Sequence, residues 1–385
     1  SPGFETQENK RFTGSIEDEI MNSVKSHLVS DVPFGVLLSG GVDSTLISMM
    51  MSKIMGKELL SFSIGFKQKE YDESFYSQLV ASKLGIQNIK KIVDDKSIEL
   101  LPEIILNHIG EPFGDDSILP TTILMELARD HVPMVLSGDG GDETFAGYQS
   151  YKKWHNNHPL IYGKKLFKSS KIRQIPRYFM GTSMKYLKNN FNFNFLDEWI
   201  GQQLIWDNSQ RKKLWNPEFQ YLINIKNKSI LRNHRDAMSF DRVSYAQYLD
   251  IKTYMNSSVL KKVDISSMKN GLEVRTPLID NELAKCFLNI NNKEKYSSKS
   301  DFEGKIAFKK LVEKMFGREF TYRSKMGFAS PLTNWFTKNA YAFDYLNQLI
   351  LNNNNRLKEF FSIKYIEEIL KSHSKLNDNS KLLWQ

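Results

Sequence analysis

The stretch GVLLSGGVDSTLIS, residues 35–48, constrains the fold more than any other part of the chain. An apolar run of strand length ends on two glycines flanked by serines. Apolar residues then resume at helical spacing behind Asp43 and Ser44. A short run with no polar interruption reads as a strand covered on both faces. Gly40 and Gly41 permit a tight turn, and their bare backbone lets an anion approach where a Cβ would block it. The unpaired N–H groups and dipole of the helix that follows attract phosphate. Ser39 and Ser44 add hydroxyl donors. Asp43 repels phosphate directly, so it makes sense as a magnesium ligand or as a helix cap. The GxxxxGK[ST] spacing of a Walker loop is absent.

The alternation of strand and helix continues to about residue 148. FGVLL, LLSFSIGF, NIKKIV and VPMVLSG read as four strands. The helix after the first carries Leu46, Ile47, Met50 and Ile54 and stops near Gly56. YDESFYSQLVASKLG is a second helix with Phe75, Leu79 and Leu84 on one side, and SIELLPEIILNHI and PTTILMELARD are the next two. Strands separated by helices of this length imply an α/β fold: a parallel sheet, right-handed crossovers and helices on both faces. Ligands bind such sheets at the carboxyl ends of the strands, where the glycine-rich turns 39–44 and 137–142 both fall. Past Gly147 the strand signal fades. Residues 151–235 read as helices and loops, 236–290 as more helical, and the tail is rich in Asn, Lys and Ser.

A chain of 385 residues exceeds what one core usually holds, so two packed domains are expected. Apolar runs are too short to span a bilayer, and no membrane partner is expected. Cys286 is the single cysteine, which rules out an internal disulfide and a Cys-rich zinc site and fits a cytoplasmic protein. Its helical spacing among apolar residues reads as a buried structural thiol. The net charge of +9 is uneven: residues 151–235 carry 17 Lys and Arg against 4 Asp and Glu. This surplus reads as solvated, lysine-rich helix faces, because nothing in it matches a nucleic-acid module.

The second turn, VLSGDGGDETFAGY, spaces Asp139 and Asp142 three apart in a glycine-rich stretch flanked by Glu143. Turns commonly use Asp and Gly for their own hydrogen bonds. At the end of the neighbouring strand, however, these carboxylates face the first turn. Asp43 and Asp142 are then expected to hold magnesium between the phosphates, with Asp139 left for the reacting groups.

The first turn is similar to the pyrophosphate loop of enzymes that split ATP between the α and β phosphates. SDVPFGVLLSGGVDS, SFSIGF, YDES, EPFGDDSILPT, LSGDGGDETFAGY, LEVRTPLID and RSKMGFASPL occur in this order. Together they resemble the synthetase domain of glutamine-dependent asparagine synthetase and its relatives, from about residue 16 to 336. The resemblance implies ATP-dependent amide formation through an acyl-adenylate, with ATP and magnesium bound. It implies that Leu37, Ser39 and the Ile64–Gly65 backbone border the nucleotide, with Ser137 and Gly138 opposite. Lys325 in RSKMGF matches the lysine that neutralises charge growing on the phosphate and the tetrahedral intermediate. Lys305 in GKIAFKKL takes a similar basic position. Arg275 in LEVRTPLID either binds a carboxylate bidentately or braces the two domains.

The implied organisation has a cloning scar and tail over 1–15 and an ATP-binding α/β domain over 16–150. A basic, mostly helical insertion follows over 151–235, then a helical region over 236–340 that returns to complete the active site, and a helical tail over 341–385. Asparagine synthetases generally place glutamate where Asp139 stands, and β-lactam-forming relatives place tyrosine. The acyl substrate is therefore open between aspartate, a sugar uronic acid and a peptide carboxylate. Fewer than 35 residues precede GVLLSGGVDSTLIS, none of them cysteine, so this chain is not expected to release ammonia from glutamine itself, whether a glutaminase half was removed or was never present. The amine would come from free ammonia, a separate glutaminase or an amine-bearing substrate. Two other classes compete: a tRNA-modifying pyrophosphate-loop enzyme using the basic segment as an RNA platform, and a non-catalytic nucleotide-binding protein.

Overall fold

In the computed structural model, β1 (Phe34–Leu37) sits at the centre of a five-stranded, wholly parallel sheet. The described residues are 14–156, 195–196, 198–224, 241–297, 302–324, 327–351 and 356–385. The strand order is β3-β2-β1-β4-β5, with β2 at Leu60–Phe66, β3 at Gln87–Val93, β4 at Met134–Leu136 and β5 at Glu273–Arg275. Val36 registers with Ser61 of β2 and Leu136 of β4, and Leu136 in turn with Arg275. The chain order reverses direction at β1, so the crevice between the ends of β1 and β4 is where a ligand fits such a sheet.

Period-two alternation sends Val36 into one core and Leu37 into another. The first core holds α1 (Ile16–His27) and α2 (Val42–Met55). Every residue of α2 from Asp43 to Met51 is buried, which explains an apolar helix with little polar face. Leu278, Leu283, Phe287, Phe308 and Val312, from far along the chain, complete this core. The second core lies on the other sheet face, under a helix spanning Ile118–Arg129.

Four expectations need correction. The four expected strands are five: within 236–290, read as more helical, Glu273–Arg275 pairs with β4. The helix expected over 97–109 divides into a 3-10 stretch (Asp95–Leu100), one α turn (Leu101–Glu103) and a π-helical stretch (Ile104–Ile109). In α3 (Ser74–Leu84), Phe75 is 68% exposed; the buried face is Ser74, Ser77, Val80 and Ala81, while Leu79 and Leu84 are half-buried. Cys286 is only half-buried. Burial, then the Glu19 carboxylate, pushes its thiol pKa up.

A third apolar cluster unites Tyr151, Trp154, Phe195 and Trp199 with Val243, Tyr245 and Leu249. Helices Ser150–Asn156 and Asn208–Leu214 belong to the basic stretch; most of its expected helices fall at 157–194 and 225–235, outside the described residues. Inside the cluster, burial pushes the Asp250 carboxyl up to about 6. Hydrogen bonds from the Tyr151 hydroxyl (2.6 Å) and Trp199 Nε1 (3.1 Å) pull the other way. A carboxyl that holds its proton more tightly when folded favours the fold below the unfolded value near 4. That contribution, about 3 kcal/mol, is lost as pH rises through 6. Tyr151→Phe removes a donor to the ionised form. Its destabilisation, read from urea midpoints, is expected to be larger at pH 8 than at pH 5; an equal loss at both would contradict this.

Among the described residues no helix is long and apolar enough to cross a membrane.

Candidate active site

β1 ends at Leu37, and the chain turns through Ser39–Gly41 into α2. Gly40 has φ of +80°, and a Cβ there would lie 2.7 Å from Tyr76 Cβ and 2.8 Å from the Ser77 amide, so only glycine lets α3 pack this close. The serines tie the turn to itself: Gly41 N–H donates to Ser39 Oγ (3.2 Å), and Ser44 Oγ lies 3.0 Å from Ser39 Oγ. Asp43 stands in the first turn of α2, at the positive end of its dipole.

The second turn leaves β4 and presses against the first. A Cβ on Gly138 would come within 2.8 Å of Asp43 C and Ser44 N, and one on Gly141 within 2.6 Å of Asp43 Oδ1. Ser137 N–H donates to the Arg275 carbonyl (2.9 Å), which fixes this turn to β5. The Ser137 hydroxyl donates to Asp139 Oδ2 at 2.7 Å. Lys305, the residue before a helix over Ile306–Phe316, reaches across to Asp43 Oδ2 (2.5 Å) and Asp142 Oδ1 (2.6 Å).

Between the turns lies a cavity of about 190 Å³. Leu37, Ser39, Gly41, Asp43, Ser44 and Ile64 line it from the first turn and β2; Ser137, Gly138, Asp139 and Asp142 line it from the second. Gly40 and Gly65 stand behind these walls; a Cβ on Gly65 would come within 2.6 Å of Asp72 Oδ1. Arg275 lies elsewhere. Its guanidinium donates to the carbonyls of His27 (2.8 Å) and Val29 (2.9 Å) and pairs with Glu273, so it braces the end of α1 to the sheet. Lys325 lies outside the described residues.

The cavity also has walls that sequence reasoning missed. Glu143, noted only as a flank of the second turn, is 1% exposed and accepts a hydrogen bond from the Tyr148 hydroxyl (2.6 Å). Burial pushes its carboxyl up to about 7, against that hydrogen bond. Lys262 lines the opposite wall, donating to Ser117 Oγ (2.7 Å) and pairing with Asp115 (3.4 Å). Burial works to raise the Asp115 pKa, but Lys262 and Ser117 hold it below the usual range. Burial and the Asp115 charge push neighbouring Asp116 up to about 6. The block EPFGDDSILPT was the only signal that this segment borders the site.

The donor set suits a hard cation. Two carboxylates converge on one positive charge, and no group of three or more His, Cys, Asp or Glu ligands occurs among the described residues. Magnesium held here would take its remaining oxygens from phosphate and water, its usual habit beside nucleotides.

The asparagine synthase family model matches residues 15–385. Asparagine synthetase [glutamine-hydrolyzing] 1 of Bacillus subtilis (strain 168) is 28% identical over 388 residues, covering 99% of this chain and 58% of that protein. A putative glutamine-hydrolyzing asparagine synthetase of Mycobacterium tuberculosis (strain ATCC 25618 / H37Rv) is 27% identical over 327 residues, 84% of this chain and 48% of that one. Asparagine synthetase B of Escherichia coli (strain K12) is 31% identical over 172 residues, 40% and 30% of the two chains. The chain spans about half the length of the first curated relatives it matches. Among solved structures, an NH3-dependent NAD synthetase from Campylobacter jejuni has 15% identity and a TM-score of 0.27, covering 58% of this chain and 95% of that one.

Proposed function

Because this chain belongs to the asparagine synthase family, we propose that it joins a carboxylate to an amine through an acyl-adenylate, with ATP split into AMP and pyrophosphate. The observation that carries this reading is the convergence of Asp43 and Asp142 on one cation, between two glycine turns packed against each other at adjacent strand ends. A site for a polyphosphate needs backbone donors, a helix start and carboxylates for the accompanying metal.

The substrate carboxylate attacks the α phosphorus, and the bond from that phosphorus to the bridging oxygen breaks. Pyrophosphate leaves towards the Ser39–Ser44 turn and the start of α2. The amine then attacks the acyl carbon, loses a proton and displaces AMP. Leu37, Ile64 and the Gly65 backbone border the nucleotide, with Ser137 and Gly138 opposite. Asp139 orients the acyl group or takes the proton of the amine. Lys325 steadies charge on the phosphate and the tetrahedral intermediate. Magnesium, held by Asp43 and Asp142 with phosphate oxygens, would supply charge neutralisation on the leaving group.

The acyl candidates are aspartate, a sugar uronic acid and a peptide carboxylate. The amine is ammonia, free or from a separate glutaminase, or an amine-bearing substrate. The test is exchange of labelled pyrophosphate into ATP across a panel of carboxylic acids. Exchange that requires one acid and no amine is expected; no exchange with any acid would overturn the adenylation step.

A further inference from the structure

The carboxylates assigned to magnesium already share a cation. The ammonium of Lys305 bridges Asp43 and Asp142, and its side chain is only 6% exposed. Two carboxylates buried against each other repel and lose hydration, so a positive charge at their meeting point is what makes the pair tolerable before a substrate arrives.

The backbone is bent to deliver that charge. Lys305 holds φ of +57°, and Ala146, across from it, holds +53°. Such conformations are costly for a non-glycine residue and persist where the surroundings over-determine them. The surroundings here are tight. A Cβ on Gly147 would run into Lys305 Cε and Asp142 Oδ1, and one on Gly304 would run into the Ala146 carbonyl oxygen. The Lys305 N–H donates to the Phe145 carbonyl at 2.8 Å. The segment carrying the lysine is thus interlocked with the second turn, and its side chain has one place to go.

Magnesium entering alone would set its two positive charges against a third within a few ångströms, in a pocket where screening by water is poor. A diphosphate reverses that balance. It brings more negative charge than the metal brings positive, and it gives the lysine new oxygen partners.

We propose that Lys305 is a positioning residue, the resident counter-cation of the site: it holds the two carboxylates together, keeps a divalent metal out when alone, and cedes its place when metal and diphosphate enter together. The identity of the anion rests on the function proposed above; the exchange of cations does not.

The test is Mn²⁺ titration of the full chain by electron paramagnetic resonance, with and without inorganic pyrophosphate. Each titration is read against a protein-free solution of the same composition, so that Mn²⁺ bound by pyrophosphate alone is subtracted. In the unsubstituted protein, pyrophosphate is expected to tighten Mn²⁺ binding by about 10-fold or more. Lys305→Met is expected to bind Mn²⁺ alone about 10-fold or more tightly than the unsubstituted protein, and to gain a Mn²⁺-dependent rise in melting temperature that the latter lacks. Equal Mn²⁺ affinity in the two proteins would overturn the proposal. If Lys305→Met does not fold, the unsubstituted protein still decides, since Mn²⁺ affinity indifferent to pyrophosphate would overturn it equally. Failure of every acid to support exchange counts only against the proposed reaction, because neither titration contains an acid.

Discussion

Asp43→Asn is expected to lower acid-dependent pyrophosphate exchange by about 10²–10³-fold, or about 3–4 kcal/mol of transition-state stabilisation. The side chain sits in the first turn of α2, converges with Asp142 on one cation, and lines the cavity between the two turns. Asparagine keeps the shape and loses the charge that a metal requires. The fold should persist, because Lys305 keeps Asp142 as partner and the buried group moves from two negative charges and one positive to one of each. Circular dichroism therefore serves as the control. Native-like spectra with exchange near that of the unsubstituted protein would remove Asp43 from the metal and pyrophosphate site.

Phe145→Ala is expected to have the largest effect on stability, about 3–5 kcal/mol, read from the shift in urea midpoint. The ring is 0% exposed and lies between Phe308, stacked at 4.1 Å, and Phe287, edge-on at 4.3 Å. These contacts tie the second turn to two helices from late in the chain. Removing the ring leaves a cavity that close-packed neighbours fill only in part. The same carbonyl that accepts from Lys305 belongs to this residue, so nucleotide affinity should fall along with stability. A loss below about 1 kcal/mol would mean that the aromatic cluster does not carry this junction.

The parts of this molecule legible in the sequence are those set by neighbours along the chain. The central strand, the Ser39–Ser44 turn and α2 follow from an apolar run, two glycines and a helical period within 14 residues. The placing of both glycine turns at strand ends follows from the same alternation. What was not legible depends on partners far away. The strand Glu273–Arg275 has three residues, too few for alternation to register, and exists because β4 offers an edge to pair with. Phe75 has the right spacing for a buried face but points to solvent, because Ser77, Val80 and Ala81 are small enough to let α3 pack closely on β2. Lys305 stands out among the lysines of GKIAFKKL through the resemblance alone; the acidic pair it bridges, with Asp43 262 residues away in sequence, could not be read there. Glu143 and Tyr148 look like ordinary turn residues until burial brings them into one hydrogen bond.

Under the proposed function, the Ser39–Ser44 and Ser137–Asp142 turns hold a nucleotide polyphosphate between them. A crystal structure with magnesium and an ATP analogue carrying a methylene in place of the α–β bridging oxygen tests it most directly. The expected result is β and γ phosphates against the Ser39–Ser44 turn, metal between Asp43 and Asp142, and the Lys305 ammonium moved onto phosphate oxygen. Phosphates bound elsewhere, with Lys305 still bridging both carboxylates, would contradict it.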